Sequence, residues 1–101
     1  MHNRIDLHEY LCDILGSRNV YYQPPATVRM SYPAIVYERS DIPIKPADDF
    51  VYAQFHKYTV TVIDKNPDSD IVERLSMVPK CSFNRHYTAD NLNHDVFTLY
   101  Y

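Results

Sequence analysis

Four residues near the C-terminus, His86, Asp90, His94 and Asp95, crowd imidazole and carboxylate groups into ten positions. That is the ligand chemistry of many divalent-metal sites. The spacing follows no established ligand motif, however, and the residues lie in or beside ADNLN, where Asp90, Asn91 and Asn93 favour a turn. Polar groups flank an exposed turn whatever a protein does, so no metal is expected. His2, His8 and His56 are scattered over other segments and read as surface residues. Nucleophilic catalysis needs Ser or Cys beside a base, and neither G-x-S-x-G nor a comparable pattern occurs. Phosphate-cradling loops require at least two glycines, and the chain has one, Gly16. The expectation is a protein with no catalytic residues, no cofactor and no enzymatic activity.

Composition narrows the class further. Cys12 and Cys81 form no C-x-x-C pair, and they read as buried thiols in a reducing compartment. The formal charge of −3 comes with dispersed Lys and Arg, which is the wrong footprint for tight binding to a nucleic-acid backbone. Charges run through the first ten residues, and no apolar stretch approaches the roughly 18 residues of a membrane span. Ten tyrosines and no tryptophan are more phenol groups than one small core can satisfy, so some should meet a partner. The pairs Tyr21–Tyr22 and Tyr100–Tyr101 are the candidates, since Tyr buries a rigid ring at low entropy cost.

These residues need elements to carry them. Residues 4–15 place Leu7, Tyr10, Leu11, Ile14 and Leu15 at helical spacing, and Gly16 is expected to end that helix in a left-handed conformation. Residues 19–25 begin extended and stop at two prolines; 31–39 read as a strand with Pro33 at its start. The best strand is 58–63, with Tyr58, Val60 and Val62 on one side and Thr59, Thr61 and Ile63 on the other. A second helix is expected over 67–78, capped by Asn66, opened by Pro67, with Asp68 and Asp70 in its first turn. In 81–88, Cys81, Phe83 and Tyr87 alternate against Ser82, Asn84 and His86; with 94–101 this forms a hairpin.

The result is one domain over 1–101 of the α+β class: a mixed, mostly antiparallel sheet of about five strands with two helices packed on one face. The strand–helix–strand unit from 58 to 88 should leave its two strands parallel. Between 40 and 52, two prolines and three aspartates interrupt all periodicity. Ile42, Ile44 and Phe50 in that stretch are apolar surface an isolated domain has little reason to keep, so it too is a candidate contact with another protein.

Three segments, VYYQPPATVRMSYPAIVYER (20–39), YTVTVIDKNPDSDI (58–71) and CSFNRHYTADNLNHDVFTLYY (81–101), resemble the small tail terminator, or tail completion, proteins of long-tailed bacteriophages. The resemblance implies a virion protein at the head-tail interface, assembled in the host bacterial cytoplasm. Such a subunit forms a ring, commonly a hexamer, that caps the tail tube and joins it to the head connector or stopper protein. DNA would pass through the channel without tight binding, as an acidic balance suits. The chain is short for a terminator, which keeps open a neighbouring connector component, such as a stopper or minor capsid protein, and beyond that a soluble non-enzymatic binding module. No site residue of the family maps onto a numbered position here.

Overall fold

A computed structural model of the chain describes residues 4–40 and 56–101. Helix α1 spans Arg4–Leu15 and helix α2 Asp70–Ser76; the strands are β1 Val20–Tyr22, β2 Ala34–Arg39, β3 Lys57–Asp64, β4 Cys81–Ala89 and β5 Leu92–Tyr100. The strands form one sheet in the order β1-β2-β3-β5-β4. β1 and β2 are parallel; the other three pairings are antiparallel. Among the described residues the fold is thus α+β with two helices and a five-stranded mixed sheet, as its alternation predicts. β3 and β4 are both antiparallel to β5, so they run parallel to each other with β5 inserted between them.

The core grows from the expected faces. Ile35 and Tyr37 of β2, Tyr58, Val60 and Val62 of β3, and Phe97 and Leu99 of β5 are almost wholly buried. They form one cluster with Leu7, Leu11, Cys12 and Leu15 of α1 and Ile71 and Leu75 of α2. Truncating any one of the central leucines should cost about 2–5 kcal/mol. Tyr10 departs from its predicted inward place: it is 37% exposed, and Cys12 takes the buried position on α1 instead. Gly16 ends α1 as expected, at φ +83°, its N–H donating to the Cys12 carbonyl at 2.8 Å.

Two local expectations are corrected. α2 starts at Asp70, not Pro67, and its N-cap is Ser69, whose Oγ accepts from the Ile71 N–H at 3.3 Å. Asn66 makes a turn rather than a cap: its Oδ1 accepts from the Asp68 N–H at 3.0 Å, while Asp64 Oδ1 accepts from the Asn66 N–H at the same distance. Asp68 therefore precedes the helix, and Asp70 and Glu73 supply its N-terminal charge. The helix ends at Ser76, capped by Met77, before Pro79 is reached.

The second correction lies in β4. Its pairing with β5 shifts register between Phe83 and Arg85, so one extra residue sits on β4. Before the bulge, Cys81 and Phe83 pair with Leu99 and Phe97 on the core face; after it, His86 pairs with Asp95 on that face and Tyr87 with His94 on the other. The simple alternation that groups Tyr87 with Cys81 and Phe83 fails because a bulge reverses the pleat for everything beyond it.

Candidate interaction surface

The histidines and carboxylates of the C-terminal hairpin are divided between the faces of the sheet. His86 Nδ1 lies 2.7 Å from Asp95 Oδ1 on the core face, with Asp95 only 9% exposed. On the other face, the His94 ring stacks on Tyr87, centroids 4.7 Å apart, and its Nδ1–H donates to the Leu92 carbonyl at 3.2 Å. Asp90 sits in the turn at φ 52° and Asn91 at 62°. Among the described residues no group of three His, Cys, Asp or Glu side chains is gathered to hold a metal ion.

Of the tyrosines read as contact residues, all four described ones are half-buried. Tyr21 Oη accepts from the Ser31 N–H at 3.3 Å. Tyr22 packs on Tyr37 at 4.9 Å between centroids, with the Arg4 guanidinium 4.5 Å above its ring. Tyr101 stacks on Tyr10 at 6.2 Å, and Tyr10, Tyr100 and Tyr101 line a shallow cavity of about 250 Å³ with Val78, Pro79 and Leu99. The two pairs therefore lie far apart in the sheet, one on the edge strand β1 and one at the end of β5. Ile42, Ile44 and Phe50, and the stretch from 41 to 52 that carries them, lie outside the described residues.

Beneath Tyr22, the Tyr37 ring is fully buried and its hydroxyl meets His8 Nδ1 at 2.8 Å. Burial, then the nearby positive charge of Arg18, holds the His8 imidazole below its ordinary value. Burial pushes the Tyr37 phenol up. Cys12 and Cys81 are free thiols, and burial pushes Cys81 up to about 11, far from a reactive thiolate.

The feature sequence reasoning missed is the exposed edge position of β4, a strand it did expect over 81–88. The strand is the edge of the sheet, nine residues long, and every residue from Ser82 to Ala89 is exposed. Phe83 is 54% and Tyr87 40% exposed, although both lie on the apolar side of the alternation read from the sequence. Phe83 touches the core only edge-on, at 5.5 Å from the Phe97 ring. A signal was present: between Ser82 and Ala89 the only Lys, Arg, Asp or Glu is Arg85, and there is no proline, so the devices that usually blunt an edge strand are few. Among the described residues no helix is long and apolar enough to cross a membrane. No protein-family model, no curated protein and no solved structure matches this chain.

Proposed function

We propose that this chain is a non-enzymatic structural subunit that assembles with copies of itself into a ring at the head-tail junction of a long-tailed bacteriophage. The ring would cap the tail tube and join it to the head connector. The observation that carries the assembly part is the nine-residue edge strand β4, which has no proline or lysine from Ser82 to Ala89, is exposed on both faces and bears Phe83 and Tyr87. The phage assignment is supported by the resemblance of residues 20–39, 58–71 and 81–101 to tail terminators. Half-buried tyrosines on β1 and at the end of β5 fit a surface made for protein contacts.

Light scattering on the size-exclusion eluate, followed by electron microscopy of the peak, tests this reading. Annular particles of one defined stoichiometry that bind the ends of purified tail tubes are the expected result. A monomer at 100 µM that ignores tail tubes rejects it. A ring that binds only the head connector favours the stopper reading.

A further inference from the structure

Among the described residues, the two edge strands of the sheet, β4 and β1, are complementary in chain direction and in hydrogen-bonding phase. β4 is antiparallel to β5, β5 to β3 and β3 to β2, while β1 is parallel to β2; β4 and β1 therefore run in opposite directions. Two copies laid side by side bring β4 of one beside β1 of the next as an antiparallel pair.

The phase follows from the turns and flanking bonds. Ala89 and Leu92 enclose a two-residue turn with positive φ at Asp90 and Asn91, so Ala89, Tyr87 and Arg85 exchange hydrogen bonds with β5. His86 and Thr88 consequently turn their N–H and C=O groups away from the sheet. On β1, the Ile35 N–H donates to the Asn19 carbonyl at 3.0 Å and the Gln23 N–H to the Tyr37 carbonyl at 2.9 Å. Odd-numbered residues there face β2, and Val20 and Tyr22 present their backbone groups outward.

We infer that the outer edge of β4 receives the β1 edge of a second copy of this chain, pairing His86 with Tyr22, Tyr87 with Tyr21 and Thr88 with Val20. Four backbone hydrogen bonds join the edges, and Tyr21 and Tyr87 meet as a close non-hydrogen-bonded pair. The register is the one the edges permit: a shift of two residues in one direction runs into the turn at Asp90, and in the other into the bulge between Phe83 and Arg85. The first turn of α1 is held over Tyr22 by Arg4, so it lies on the same face of the sheet as Phe83. Each copy uses a different edge at each end, which makes the contact head-to-tail, the kind that closes into rings. This inference rests on the ring reading and specifies its seam.

Cysteine cross-linking tests it. In antiparallel sheets, non-hydrogen-bonded pairs have Cα separations suited to a disulfide. An oxidised mixture of Tyr21→Cys and Tyr87→Cys chains should yield a covalent dimer whose disulfide, located by peptide mapping apart from the native Cys12 and Cys81, joins position 21 of one chain to position 87 of the other, and Tyr87→Cys alone should yield none joined 87 to 87. Thr88→Pro, which removes one outward N–H and none that faces β5, should keep the far-UV circular dichroism and convert the multimer peak to monomer.

A Tyr87→Cys homodimer whose disulfide maps to position 87 of both chains means that β4 pairs with itself, and overturns the assignment. So does a multimer that survives Thr88→Pro, or a wild-type multimer whose mixed variants fail to cross-link; these leave the ring reading intact. A wild-type chain that is monomeric by light scattering removes both.

Discussion

Replacing Gly16 by alanine isolates one backbone term. The residue sits at φ +83°, and a Cβ built there meets nothing within 4 Å. No clash contributes, so the cost is conformational alone. A left-handed conformation disfavours an L side chain by about 1–2 kcal/mol, and alanine returns about 0.4–1 kcal/mol by restricting the unfolded chain. The net loss is about 1 kcal/mol, which for a domain of this size lowers Tm by about 4–8 °C. Differential scanning calorimetry of Gly16→Ala measures it. Two companions fix the cause: Gly16→Asn should lose less, because Asn tolerates the left-handed region, and D-alanine introduced by ligation should raise Tm. A Tm for Gly16→Ala at or above that of the parent, or a D-alanine variant no more stable than the L form, refutes the argument that the Gly16 N–H bond to Cys12 is held by a left-handed cap.

Three further outcomes are expected. Ser69→Ala should lower stability by about 1 kcal/mol in urea denaturation, because Ser69 caps α2, while Asn66→Ala should cost distinctly less; the reverse order would return the cap to Asn66. His8 is held below its ordinary value near 6.5, so the unfolded chain binds its proton more tightly. Its contribution to stability is therefore complete above about pH 6.5 and is lost as the pH falls from there through its lowered folded value. Urea midpoints measured from pH 7.5 to 4.5 should show this fall for the parent and a shallower one for His8→Gln. Finally, Cys12 and Cys81 should react slowly with a thiol reagent at pH 8 in the native state and at once in denaturant, since burial raises both; two thiols titrating rapidly in the folded protein would contradict the packing.

The fold was legible where local chemistry decides it. Tyr58, Val60 and Val62 alternate on a strand that burial then confirms, and Gly16 had no competitor as a left-handed cap apart from Asn19. Legibility failed where a distant partner chooses. Asn66 and Ser69 are both competent caps; Ser69 caps α2, and Asn66 closes a turn with Asp68 instead. The bulge in β4 carries no glycine to announce it. Its place is set from β5, where Phe97 faces Phe83 and Asp95 faces His86, so the pleat of residues 85–89 was decided by residues 92–97.

The same asymmetry explains why function was the hardest part to read. A catalytic or metal site must gather particular side chains; the irregular spacing of the imidazoles and carboxylates within 86–95 already argued against one, and the sheet divides them between its faces. An edge that pairs with another strand works through N–H and C=O groups that nearly every residue carries. What marks such an edge is the lack of the usual deterrents, proline and lysine, together with exposed aromatic residues on the apolar side of the alternation. Phe83 and Tyr87 supply that mark, and it became visible only once the strand order placed β4 at the end of the sheet.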